Sequence, residues 1–233
     1  MPQHIGIVAC SAEGAALCYR TICAEGPALL GPHAHPELTL HAQSLAEYAR
    51  CFERDDWLGV GELMLASARK LADAGADFLI CPANTPHQAL PQIVRRSPLP
   101  WLHIAEAVAA EAAQRGFSRL GVTGTRWLVD SLVYPEKLAE RQLECVRPGI
   151  ADRDECNRII MDELVNGVFR PESIAFVQAV IARLEEAGCD AVILGCTEFP
   201  LIIDDSNSAL PTLDSTRLLA RAALRRAVGP TCA

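Results

Sequence analysis

Short apolar runs rich in β-branched residues alternate with long helical stretches along the whole 233-residue chain. The runs His4–Ala9, Leu38–Ala42, Asp77–Cys81, Trp101–His103, Leu120–Thr123 and Ala191–Leu194 read as strands. Between them, Leu58–Ala74 carries Leu63, Leu65, Ala68 and Leu71 on a helical stripe. Ser173–Ala187 does the same with Ile174, Val177, Val180, Ile181 and Leu184. Strands separated by helix-length connections pair in parallel, because a tight hairpin cannot join them. The pattern therefore predicts an α/β protein built from βαβ units.

The chain also repeats itself. The segment Ala74–Thr85 aligns without a gap on Ala187–Glu198: Ala-Gly, then Asp, then an apolar strand, then a small polar turn. Leu99-Pro100 matches Leu210-Pro211, which places His103 opposite Asp214, and Ile5–Val8 resembles Leu120–Thr123. The repeat predicts two pseudo-twofold related parallel-sheet lobes with the active site in the cleft between them. The first lobe is expected over 1–98 plus 214–233, the second over 99–213. Ligands of open α/β sheets bind beyond the carboxyl ends of the strands. The turns Ala83–Thr85 and Cys196–Glu198 are thus expected on opposite walls, with Cys10–Gly14 and Thr123–Arg126 at the floor or rim.

Composition narrows the function. Half of the residues are hydrophobic and the net charge is −8, so the chain lacks the basic face of a nucleic-acid binder. Its apolar runs fall far short of the roughly 18 residues of a membrane helix. The first residues also lack a signal-peptide pattern. The expectation is a soluble cytoplasmic protein with neither nucleic acid nor membrane as partner. The ten cysteines (Cys10, Cys18, Cys23, Cys51, Cys81, Cys145, Cys156, Cys189, Cys196 and Cys232) form no CxxC and no zinc-finger spacing. No metal site is expected, and most of these thiols read as small buried apolar groups.

Cys196 differs by position. It follows an apolar strand and Gly195, and Phe199-Pro200 reads as the start of a helix. A thiol there is expected to fall from about 8.5 toward neutrality, because helix N–H groups favour thiolate.

Leu194-Gly195-Cys196-Thr197-Glu198 resembles the second signature of the aspartate/glutamate racemase superfamily. Cys81-Pro82-Ala83-Asn84-Thr85-Pro86-His87 resembles the first, where the family usually reads Cys-Asn-Thr-x-His. Pro100–Glu106, Gly121–Arg126 and Leu210–Thr216 fit in order, so the resemblance spans nearly the whole chain. It implies a cofactor-independent amino acid racemase or epimerase, working as a homodimer on a small amino acid or related carboxylate. In such enzymes one thiolate removes the α-proton and an opposing thiol returns one. By this resemblance Cys196 is a proton-transfer thiol. Asn84, Thr85, Thr125 and Thr197 cradle the carboxylate, with Ser11, Ala83 and Glu198 beside them in the substrate site.

Two departures bear on the activity. Ala83 stands where the first cysteine is expected, and a methyl carries no proton. Cys10 and His87 are the alternative second proton carriers; Cys81, about 6–7 Å back along a strand, is not. Glu155 stands near where members acting on acidic substrates have a lysine, which favours a neutral or basic substrate if it lines the site. The alternatives are a single-cysteine decarboxylase of the arylmalonate decarboxylase type, or a member that binds amino acids with impaired catalysis.

Overall fold

The computed structural model describes residues Met1–Gly229; Cys232 and the last residues of the expected first lobe lie outside the described residues. Eight strands are present among these: β1 Ile5–Ala9, β2 Leu38–Ala42, β3 Phe78–Ile80, β4 Trp101–Leu102, β5 Arg119–Thr123, β6 Glu144–Val146, β7 Ala191–Leu194 and β8 Thr212–Asp214. They form two four-stranded sheets, ordered β2-β1-β3-β4 and β6-β5-β7-β8, and every neighbouring pair is parallel. The α/β expectation holds. Two strands went unread in the sequence, β6 and β8, each only three residues long.

The chain divides into two compact units, Val108–Ser215 and Met1–Ala107 together with the segment from Thr216. Each unit has its own core. In the first, Ile5, Ile7, Phe78 and Ile80 pack against Leu219, Ala220, Ala223 and Leu224 of the helix Ser215–Val228. In the second, Val192 and Leu194 pack with Val177, Val180, Ile181 and Leu184 of the helix Pro171–Glu186. The helix Trp57–Asp73 starts where Asp56 Oδ1 accepts the Gly59 N–H at 2.8 Å. It buries Val60, Met64, Ala68 and Leu71, a spacing of three to four that keeps one face apolar. Among the described residues no helix is long and apolar enough to cross a membrane.

The internal repeat survives as hydrogen-bond register. Ile5 pairs Phe78 and Leu120 pairs Ala191; Leu79 pairs Trp101 and Val192 pairs Thr212. These are the residues that the sequence repeat superposes. The matched aspartates explain why the repeat is kept. Asp77 Oδ2 accepts the His4 N–H at 2.7 Å, and Asp190 Oδ1 accepts the Arg119 N–H at 3.1 Å. Each carboxylate thus closes the first rung between the first and third strands of its sheet. Gly75 and Gly188, at φ 89° and 85°, end the preceding helices in the left-handed conformation that glycine adopts without strain.

Candidate active site

In the second unit, the ends of β5 and β7 come unusually close. Gly195 N–H donates to Thr123 O at 2.9 Å, which carries the ladder one residue beyond β7. A Cβ on Gly195 would stand 2.5 Å from that same carbonyl oxygen and 2.5 Å from Leu128 Cδ2. Gly124, at φ 151°, lies against the Gly195 carbonyl. Thr123 Oγ1 donates to Ile193 O at 2.8 Å, and Ser215 Oγ donates to Leu194 O at 2.8 Å. The residue before Cys196 is therefore held from both neighbouring strand ends. Gly195→Ala must push backbone aside, and we expect it to cost roughly 1–3 kcal/mol. A urea unfolding midpoint equal to that of the native chain would refute this.

Cys196 lies just past this junction, 6% exposed and within the apolar cluster of its unit. Its Sγ–H donates to Glu198 Oε2 at 2.8 Å, and Thr197 Oγ1 donates to the same oxygen at 2.7 Å. Thr197 and Glu198 are buried as well. The expected lowering of this thiol is corrected. Burial first, and then the Glu198 carboxylate beside it, hold Cys196 well above the ordinary cysteine range. The N–H groups of Glu198 and Phe199 do favour the thiolate, but the expected helix is only the 3₁₀ turn Phe199–Leu201. So short an element supplies little dipole. At rest the group is a thiol donating to a carboxylate.

Thr125 precedes the short helix Arg126–Val129 and is half-buried. Asn157 Oδ1 accepts the Arg126 N–H at 3.1 Å, so the helix Ile150–Arg158 ties down the turn that carries Thr125. Asn157 was not legible as a site residue, because its partner lies 31 residues away. Glu155 is half-exposed and is gripped by Arg158, whose Nε reaches its two oxygens at 3.0 and 2.9 Å and whose Nη2 reaches Oε1 at 2.7 Å. Arg158 also binds buried Glu163 at 2.9 Å. The repulsion expected from a bare Glu155 carboxylate is thus largely offset by a guanidinium one turn away.

The first unit is built differently at the matching turn. Pro82 stands where Gly195 does and has no N–H to extend the ladder, and β3 ends at Ile80. Two side chains shape this turn instead. Cys81 Sγ–H donates to Ala83 O at 3.6 Å, and His87 Nε2 bonds Cys81 O at 2.9 Å. Burial pushes the Cys81 thiol up to about 12. His87 is 1% exposed, and its ring stands edge-on to His103 at 4.6 Å. Burial, with His103 next to it, holds His87 well below the usual imidazole range. A carbonyl partner needs a donor, so Nε2 carries the proton and Nδ1 is bare. This geometry favours a turn-holding role for His87 over proton transfer. Ala83 is half-buried, and Asn84 and Thr85 are buried. Ser11 caps the helix Ala12–Glu25, its Oγ accepting from Gly14 N–H at 3.4 Å, and Cys10 precedes it, buried at the end of β1. Among the described residues, no cluster of three or more His, Cys, Asp or Glu side chains could hold a metal.

The chain resembles known proteins in both sequence and fold. The profile of the Asp/Glu/Hydantoin racemase family matches residues 5–223. The broad specificity amino-acid racemase RacX of Bacillus subtilis (strain 168) is 25% identical over 191 residues, which cover 80% of each chain. The solved structure of a Yersinia pestis protein, provisionally assigned as an Asp/Glu racemase, superposes with a TM-score of 0.88 at 30% identity. It covers 97% of this chain and 100% of that one. An aspartate racemase homologue from Pyrococcus horikoshii OT3 gives 0.80 at 28% identity, over 95% of this chain and 97% of that one. The chain belongs to the Asp/Glu/Hydantoin racemase family, whose racemase members are isomerases.

Proposed function

We propose that the protein is a cofactor-independent amino acid racemase or epimerase that moves the α-proton with Cys196. One observation carries the reading: the Cys196 thiol donates to Glu198 Oε2 at the end of β7, with Thr197 on the same oxygen. Glu198 takes the thiol proton, and the thiolate so formed removes the α-hydrogen. Burial that makes the thiolate scarce also makes it a stronger base, which suits a weak carbon acid. Thr197 and Thr125 hold the carboxylate and the charge that develops on it. Because Arg158 offsets Glu155, the side-chain subsite takes neutral as well as basic amino acids, a breadth that RacX has by name. The same reading has the protein act as a cytoplasmic homodimer.

A second reading has a specific observation in its favour. Cys81 Sγ and His87 Nε2 are both committed to backbone carbonyls, and Ala83 offers a methyl. A site with one working thiol suits a decarboxylase of the arylmalonate type, in which loss of carbon dioxide makes the carbanion and a single acid protonates it. The two readings separate when a panel of L- and D-amino acids is incubated in deuterated water. The expected outcome is α-deuterium incorporation together with loss of optical rotation for neutral or basic members. Aryl- or alkylmalonate turnover with no exchange in any amino acid would overturn the racemase reading.

A further inference from the structure

The turn that carries Thr125 opens a helix too short to hold itself. Arg126–Val129 has four residues, and helical turns of this length do not persist alone. Thr125 occupies the N-cap position, at φ −65° and ψ 154°, yet its side chain makes no capping bond. A threonine there ordinarily accepts an N–H of the first turn. Another helix takes the amide of the first helical residue instead: Asn157 Oδ1 accepts the Arg126 N–H at 3.1 Å. Where Thr125 stands is thus decided from outside its own element.

A second contact grips the other end. Arg153, one turn before Asn157 on the same face of the helix Ile150–Arg158, pairs with Asp130, the residue that closes Arg126–Val129. The long helix is itself fixed to the core of its unit. Arg183, in the helix Pro171–Glu186, reaches both oxygens of Asp152 at 2.9 and 2.7 Å. Cys156 and Ile159 lie in the apolar cluster that holds Cys196. From the short helix, Leu128 extends to the neighbouring strand end, where its Cδ2 is an atom that a Cβ on Gly195 would meet. Gly124 lies against the Gly195 carbonyl, and Thr125 and Cys196 are the residues that follow these two glycines. The placement of Arg126–Val129 therefore sets both Thr125 and the cover over the residue before Cys196.

We propose that Asn157 is a positioning residue for the reaction: by holding the Arg126 N–H it sets the Thr125 hydroxyl where the substrate carboxylate is bound. This rests on the racemase reading above, in which Thr125 holds that carboxylate. Asn157 moves no proton and acts through Thr125. A carboxylate held slightly out of place carries the α-hydrogen out of line with the thiolate, and small misplacements of this kind cost rate steeply. Arg153 supports the same helix from its far end, through a charge pair at the surface rather than through the amide next to Thr125.

The test is a double-mutant cycle on the best amino acid of the panel, with initial rates of α-deuterium exchange measured at rising substrate concentration. Asn157→Leu keeps the size and loses the acceptor, and kcat/KM is expected to fall roughly 10-fold. Asn157→Asp keeps an oxygen at the same reach and should stay within about 3-fold of the native value. Thr125→Val removes the hydroxyl through which Asn157 acts. Adding Asn157→Leu to Thr125→Val should therefore cost less than about 2-fold more, whereas independent sites would multiply their losses. Amide hydrogen exchange reads the contact without substrate: the Arg126 amide should lose protection in Asn157→Leu and keep it in Asn157→Asp. Native kcat/KM in Asn157→Leu, an equal loss in Asn157→Asp, or a double variant whose losses multiply would overturn the role. Absence of α-deuterium exchange from every amino acid in the native protein would instead strike the racemase reading, and the role of Asn157 with it.

Discussion

Cys196→Ala is expected to bring α-proton exchange from the enantiomer that Cys196 deprotonates down to background, a loss of at least about 10²–10⁴-fold, and to abolish inversion. The side chain is the only proton-transfer group that the β7 turn presents to the Glu198 carboxylate, apart from the Thr197 hydroxyl on the same oxygen. That hydroxyl is a far weaker acid than a thiol and does not take over. The fold should persist, because alanine suits the apolar cluster that Cys196 joins. Deleting one buried sulfur costs about 1 kcal/mol. The check is deuterium incorporation by proton NMR, paired with a urea midpoint on the same preparation. Exchange at the native rate in a folded Cys196→Ala protein would remove the thiol from the chemistry and with it the proposed mechanism.

Glu198→Gln should change the pH dependence in a direction fixed by the cause of the Cys196 shift. Burial leads, and the negative charge of Glu198 adds to it. Glutamine keeps the shape and removes the charge, so the thiol moves back toward its ordinary range. A rate that rises with pH as the thiolate forms will then begin to rise at lower pH. The plateau falls by about 10²-fold, because the thiol proton has lost the base that accepted it. A limb that moved up, or did not move, would show that Glu198 neither repels nor receives anything from Cys196. Full kcat/KM profiles for the native protein and the Glu198→Gln variant make the comparison.

Much of the fold was readable in advance. Six of the eight strands follow from β-branched runs, and the helices Trp57–Asp73 and Pro171–Glu186 follow from apolar spacing. β6 escaped because Glu144-Cys145-Val146 is three residues long with one exposed member. β8 escaped as well, although the pairing of Leu210-Pro211 with Leu99-Pro100 already placed Thr212 where Trp101 begins a strand. The repeat was a surer guide there than local propensity. Both site turns were located by the same repeat. Their chemistry was not: that position 195 admits no side chain follows only from the Thr123 carbonyl, which a Cβ there would meet at 2.5 Å.

Periodicity is local, so the order of elements, the twofold repetition and the positions of Cys196 and Ala83 were all settled by the chain as written. Protonation and hydrogen bonding are not local. Whether Cys196 rests as thiol or thiolate depends on how deeply it is buried and on the rotamer that turns Glu198 back onto it. The charge that Glu155 presents depends on Arg158. The tautomer of His87 depends on a carbonyl six residues earlier that the turn bends into reach. Desolvation and polar pairing are properties of the packed chain, and only tertiary structure decides them.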